Sequence, residues 1–298
     1  MSKVGIVVDN SCGISPEEAK SLGVEVIYIT FLIDGNEYCE DKNLTREEFF
    51  AKLDTCNSLS TSQPSQELVK ECWSKLLTKY DEVVFLPISS GLSSTYQSSV
   101  FSSLEFNGKV QIVNNKRVSV TLKMAIYQAL QMANEGKSAL EIKNYLENES
   151  LKSSIYITVP TLKYLKKGGR ITPAAAAIGS LLSIKPVLQI QGDKLDSFAK
   201  VLTIKQAKTK MISAIKKDIE TRFNNLEPNK KVVISLAHSC LDLTDFEIFK
   251  REVEAEFADY KVALYDALPL CISCHIGLGA IAIACTVVDV NTINNYLK

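Results

Sequence analysis

The stretch EVVFLPISSGLSSTYQSSVFSSL, residues 82–104, decides how the chain is read as a fold. EVVFLPIS (82–89) is an apolar run rich in β-branched and aromatic residues, the pattern of a buried strand. SGLSSTYQSSVFSSL (90–104) is a loop of glycine and hydroxyl residues that opens a helix. KVQIVNN (109–115) follows as another strand. Strand, short loop, helix and strand again is the order of a parallel sheet covered by helices.

The same order extends upstream. KVGIVVD (3–9) reads as a buried strand. SPEEAKSLG (15–23) reads as a helix, with Ser15 as N-cap, Pro16 in the first turn and Gly23 as the stop. VEVIYITFLID (24–34) reads as a strand that turns at Asp34-Gly35. LTREEFFAKLD (44–54) reads as a helix with a capping box from Thr45 to Glu48. SLSTSQPSQELVKECWSKLLTKY (58–80) reads as a Ser/Thr/Pro loop running into a helix capped at Ser65. Two further helices are predicted between KVQIVNN and about residue 150.

The second half has a different pattern. SSIYITVP (153–160) reads as a strand, TLKYLKK (161–167) as a helix and PAAAAIGSLLS (173–183) as a small-residue helix. KPVLQIQGDKLDSFAKVL (185–202) reads as a hairpin turning at Gly192-Asp193. A long helix over about 203–223 precedes KKVVISLAHS, the helix TDFEIFKREVEAEF, KVALYDALP and the strand AIAIACTVV. Hairpins mixed with helices predict a mixed or antiparallel sheet. The chain is thus expected to form two α/β domains. An N-terminal parallel-sheet domain spans 1–152 and a C-terminal mixed-sheet domain spans 153–298, with the boundary in the polar ENESLKSS (147–154).

Composition narrows the function. The 298 residues are 46% hydrophobic and 23% charged, with a formal net charge of +0. That balance lacks the basic face a nucleic-acid binder needs. The opening MSKVGIVVDNSC has neither a basic n-region nor an apolar h-region, and no apolar stretch is long enough to span a bilayer. A cytoplasmic protein is expected, with membrane contact at most transient and its eight cysteines held as thiols.

CISCHIGLGA (271–280) contains Cys-x-x-Cys-His, the spelling of a c-type haem attachment site, and then a loose G-x-G-x-x-A fingerprint. Neither reading holds in context. No Met or His follows His275 as an axial ligand, and no export signal precedes the motif. Too few residues follow Gly279 for a dinucleotide-binding βαβ unit. No second Cys pair completes a zinc site. No cofactor and no metal are expected.

What remains is a set of loops. STSQPS (60–65), SSGLSST (89–95) and CHIGLGA (274–280) are read as joining strand ends to helix starts, and KKGGRI (166–171) adds an arginine between glycine turns. Ligands of α/β sheets sit at the carboxyl ends of strands, and helix N-termini with hydroxyls favour anions. Taken singly, each loop has a plainer reading as a helix cap, a turn or a solvated charged face.

Together, SSGLSSTYQS, TSQPS, LKYLKKGGRI, KPVL and HIGLGA, with the opening IVVDNSCGIS, resemble the DegV family of bacterial fatty-acid-binding proteins over nearly the whole chain. That resemblance implies a two-domain α/β fold with a long-chain fatty acid between the domains. It implies a carrier and not an enzyme: the acyl-binding subunit that presents the carboxylate to a separate ATP-dependent fatty-acid kinase. The subunit would hold the acyl phosphate for phospholipid synthesis, and an acyltransferase would be a further partner. Residue by residue, Thr61, Ser62, Ser93 and His275 match the family's carboxylate-binding positions. Arg170 matches its motif arginine and, with Lys166 and Lys167 of the basic run that begins at Lys163, is expected near the head group or a kinase-docking surface. Ser94 stands where glycine is common and Leu278 where proline is common, and Cys271 and Cys274 lie outside the family pattern.

Elementary energetics agrees with such a ligand. A buried carboxylate needs donors, because an unpaired buried charge is very costly. About 15 methylenes at ~0.8 kcal/mol each supply roughly 12 kcal/mol gross before ordering costs. The small residues Ala174 to Ala177 are candidates for part of the tail's wall. The rival reading is a serine hydrolase or esterase with Ser93 as nucleophile, His275 as base and Asp9 as a candidate third member. No G-x-S-x-G elbow surrounds Ser93. No Walker A loop appears either, so phosphorylation would need a partner.

Overall fold

Six buried residues in a row, VGIVVD, make β1 (Val4–Asp9) an interior strand of a parallel sheet. The computed structural model describes residues 2–178, 184–192 and 194–297. The N-terminal elements are α1 (Pro16–Leu22), β2 (Glu25–Ile27), β3 (Phe31–Ile33), β4 (Asn36–Tyr38), α2 (Arg46–Thr55) and β5 (Leu59–Thr61). After them come α3 (Gln66–Leu76), β6 (Glu82–Leu86), α4 (Thr95–Ser103), β7 (Val110–Ile112), α5 (Ser119–Asn134) and α6 (Ala139–Asn148). The first sheet has the order β2-β1-β6-β7 and every pairing is parallel.

The caps fall where local chemistry puts them. Ser15 accepts from the Glu18 N–H, Ser65 from the Leu68 N–H, and Thr45 and Glu48 close a capping box. Each supplies an acceptor to an N–H that the first turn leaves open.

VEVIYITFLID is not one strand. Pairing with β1 ends at Ile27, and the Asn10 side chain then takes the Ile29 N–H at 2.8 Å. The chain leaves the parallel sheet and builds a separate antiparallel sheet, β4-β3-β5. The residues read as the loop STSQPS therefore begin in a strand, with Thr61 paired to Phe31. This pairing spans some thirty residues and leaves no local trace.

From residue 153 on, the elements are β8 (Ser153–Thr158), α7 (Lys163–Gly168), α8 (Pro173–Ile178), β9 (Lys185–Ile190), β10 (Asp196–Val201) and α9 (Ile204–Thr221). They continue with β11 (Lys230–His238), α10 (Thr244–Glu256), β12 (Lys261–Ala267), α11 (Leu270–Ile276), β13 (Ile281–Asp289) and α12 (Val290–Tyr296). The second sheet runs β10-β9-β8-β13-β11-β12. Among the described residues only β11 and β12 pair in parallel, so it is mixed, as the hairpin pattern implies. Part of PAAAAIGSLLS, residues 179–183, and Asp193 of the predicted turn lie outside the described residues.

α5 joins the two sheets. Its first twelve residues are all buried, which marks a helix enclosed on every side. Leu122 and Ile126 share a cluster with Val4 and Val8 of β1 and with Val233 and Val288 of the second sheet. α9 and α10 cover the opposite face of that sheet through Met211, Ile215 and Phe249.

CHIGLGA is also corrected. It does not lead from a strand into a helix: α11 precedes the glycines and β13 follows them. Pro269 before the run and Gly277 after it bracket the helix, and that signal was present in the sequence.

Candidate ligand-binding site

The carboxyl ends of the parallel strands face the second sheet, and a cavity lies between them. It holds about 1090 Å³ of non-atom space including its open mouth. Ile88 and Leu92 come from the loop after β6, Ile155 and Ile157 from β8, and Ala282 and Ala284 from β13. On the register of the second sheet, Ala282 pairs with Ala237 and with Ile157. Alanines in the middle of the sheet leave a trough where larger side chains would fill the space. Among the described residues, Ala174 to Ala177 do not line the cavity; Ala175 packs in the cluster that surrounds it.

Polar groups gather at the mouth. Thr61, Ser62, Ser93, Arg170 and His275 all line the cavity and are partly or fully exposed. The Thr61 hydroxyl and His275 Nε2 are 3.0 Å apart. The Ser62 hydroxyl pairs with Thr30 at 3.1 Å. The Ser93 hydroxyl lies 2.9 Å from the Thr95 hydroxyl and accepts from the Thr95 N–H at 3.2 Å. Arg170 donates through Nε to the Leu92 carbonyl at 3.2 Å and through Nη1 to the Gly168 carbonyl. Its Nη2 has no hydrogen-bond partner among the described residues.

Two glycines make the arrangement possible. α7 packs on α11 so closely that a Cβ on Gly168 would stand 2.1 Å from His275 Nδ1. A Cβ on Gly277, itself at φ +82°, would stand 2.5 Å from the Tyr164 ring. The glycine pairs of KKGGRI and HIGLGA are thus one device seen from two sides: they let a helix turn lie against the imidazole.

Burial and the neighbouring Arg170 guanidinium push His275 down to about 4, so it is neutral at physiological pH. The other histidine, His238, accepts the Cys240 N–H at 3.1 Å and packs on Phe246. Burial lowers it to about 4 as well, and it takes no part in the cavity.

The lysines stand apart. Lys163, Lys166 and Lys167 are exposed and none lines the cavity. Lys163 and Lys167 line a smaller recess that shares Thr61, Arg170 and His275 as its back wall, and Lys167 donates to the Asn57 carbonyl. Lys166 lines neither.

The hydrolase arrangement is not assembled. Ser93 bonds to Thr95 and His275 to Thr61, not to each other. Asp9 is fully buried and accepts from Ser11 and from the Ile88 N–H at 2.7 Å, which ties β1 to the loop after β6. Its carboxyl is pushed up to about 6 by burial and touches neither Ser93 nor His275. Cys271 and Cys274 are free and buried in different clusters, Cys271 beside the cavity and Cys274 under the small sheet. Sequence reasoning passed over Gln63, which lines the cavity and accepts from the Ser94 and Ser98 hydroxyls, although TSQPS contains it.

A family model described as uncharacterised protein, DegV family, matches residues 3–287. The chain belongs to the DegV family. A DegV domain-containing protein of Clostridium perfringens is 32% identical over 292 residues, covering 95% of this chain and 97% of the relative. A DegV family protein from Thermus thermophilus, whose structure is described as one of fatty acid binding, superposes with a TM-score of 0.86 at 27% identity. The match covers 96% of this chain and 99% of that one. A fatty-acid-binding DegV family protein from Streptococcus agalactiae gives a TM-score of 0.83, also at 27% identity, with the same coverage. The two-domain α/β architecture is therefore that of solved DegV proteins. Among the described residues no helix is long and apolar enough to cross a membrane.

Proposed function

We propose that this protein binds a long-chain fatty acid in the cavity, tail inward, with the carboxylate at the Thr61–Ser62–Ser93–Arg170–His275 mouth. The observation that carries the reading is the cavity's polarity: a largely aliphatic trough whose mouth, where it meets solvent, gathers hydroxyls, an imidazole and a free guanidinium N–H. The solved relatives described as fatty-acid-binding support the ligand class. Neutral His275 can donate one N–H to a carboxylate without carrying a buried charge of its own.

A carboxylate at the mouth is positioned to be presented to a second protein. The reading includes a separate ATP-dependent kinase that phosphorylates it, with the acyl phosphate held for phospholipid synthesis and passed to an acyltransferase, in the cytoplasm. The exposed Lys163 and Lys167 of the recess that adjoins the mouth, with Lys166 on the same helix, favour an acidic partner surface or an anionic head. No cofactor enters the reading.

Native mass spectrometry tests it, followed by denaturation and organic extraction. A mass excess of one long-chain fatty acid, recovered as free acid, is expected. A bare protein from several expression hosts that also takes up no added fatty acid would overturn the reading. Ser93→Ala should weaken fatty-acid binding roughly ten- to hundredfold, the value of one hydrogen bond to a charged group. Displacement of a fluorescent fatty acid measures it, and an unchanged affinity would remove Ser93 from the head-group site.

A further inference from the structure

The cavity has a second polar feature besides its mouth. Ser119 opens α5, lines the cavity and is only 5% exposed. Its hydroxyl has no hydrogen-bond partner among the described residues. The N–H groups of Ser119, Val120 and Thr121 find no acceptor there either. A helix always leaves its first N–H groups open, but here Val118 stands at the N-cap and offers no side-chain oxygen to them. Val118, Ser119 and Val120 all line the cavity, so a sixteen-residue helix turns its positive end and a free hydroxyl towards the ligand space.

This feature stands apart from His275, while the loop that carries Ser93 reaches back towards it, Ser89 donating its N–H to the Arg117 carbonyl at 2.9 Å. Just before α5, Arg117 donates to the Glu149 carbonyl at 2.7 Å, and Lys116 lies near Gly192 and Leu151. α5 therefore begins beside the start of β8. His275 packs on Gly168, beyond the end of β8. Ser119 and His275 thus lie towards opposite ends of that strand, with Ile155, Ile157, Ala282 and Ala284 as apolar wall between. A plain alkyl tail would leave the Ser119 hydroxyl unpaired, whereas an oxygen on the tail would satisfy it.

We propose that the cavity is matched to an acyl chain that carries an oxygen, a hydroxy- or oxo-fatty acid, whose chain oxygen pairs with Ser119 and the open N–H groups of α5. The inference rests on the fatty-acid reading above. A chain hydroxyl can accept from an N–H and donate to Ser119 Oγ; a ketone can only accept. Sites built around a hydrogen bond discriminate against the analogue that lacks it.

Competition against a fluorescent fatty acid tests this, with stearic acid, its positional hydroxy isomers and an oxo-stearic acid as probes. The proteins are the natural chain, Ser119→Ala and Ser119→Gly. The glycine variant suits the backbone, because Ser119 holds φ +52°. At least one oxygenated isomer should bind the natural chain more tightly than stearic acid, and that preference should fall about tenfold in both variants. Stearic acid binding with no isomer preferred would overturn the inference and leave the fatty-acid reading standing. So would a preference unchanged in both variants. Equal loss of every ligand in both variants would place the carboxylate itself at Ser119 and overturn it too. Failure of all probes to bind the natural chain would sink the fatty-acid reading and this inference together.

Discussion

Lys123→Met should lower the unfolding free energy by about 3–5 kcal/mol at neutral pH, a range typical of removing one partner from a buried ion pair. Lys123 lies in the buried run of α5, with its side chain 6% exposed. Its ammonium is 2.8 Å from Glu18 of α1 and 3.0 Å from Asp266 of β12, so one cation ties both halves of the chain to the helix between them. Burial works against the charge, but Asp266 and Glu18 more than offset it and Lys123 titrates above its ordinary value. Methionine keeps the stem's packing and leaves both carboxylates without their cation. Urea denaturation measures the loss. Asp266 is already held above the usual carboxylate range by burial, and without Lys123 it would rise further. The folded variant would then bind protons more readily than its unfolded chain, so the variant's deficit should shrink as pH falls from 8 to 5. A deficit that is flat across that range, or below about 1 kcal/mol, would show that the ammonium is not the tie between the halves.

Lys123 also marks a limit of the sequence reading. Its helix was legible, but an ion pair with a residue far along the chain was not. Helix ends were readable because a cap is a contact between near neighbours: Ser15 with Glu18, Thr45 with Glu48, Ser65 with Leu68. The parallel character of the first sheet followed from alternation with helices. The small β4-β3-β5 sheet was hidden because its formation depends on Asn10 taking an N–H from Ile29 and on Thr61 meeting Phe31. Thr61, Ser62, Ser93, Arg170 and His275 were named as individual residues, yet their convergence on one mouth depends on four separate places in the chain folding together: the end of β5, the loop before α4, the turn after α7, and α11. Ser119 had no signal at all. VSVTLK has the composition of any buried helix start, and only the cavity beside it gives the hydroxyl a meaning.

Gly168→Ala should weaken fatty-acid binding by about a hundredfold or more, beyond the loss from Ser93→Ala. No positive φ is involved, and alanine suits a helix better than glycine. The effect comes from contact alone: the new methyl would stand 2.1 Å from His275 Nδ1, a distance real Cβ atoms do not adopt, and a tight 3.0 Å from Cε1. Either α7 lifts from α11 or the imidazole turns away. Turning breaks the 3.0 Å pair between His275 Nε2 and Thr61. Lifting moves the Gly168 carbonyl that receives Arg170 Nη1, and with it the guanidinium. Turning withdraws the imidazole and lifting displaces the guanidinium, and a hydrogen bond from such a donor to a carboxylate is worth roughly 1.5–3 kcal/mol. Fluorescent fatty-acid displacement reads the affinity, and circular dichroism with urea denaturation reads the fold. The expected pattern is a large loss of binding with the global stability changed by no more than about 2 kcal/mol, because the clash lies at the surface of a short helix. Normal affinity in Gly168→Ala would mean that α7 yields freely and that His275 does not need its present place to hold the ligand.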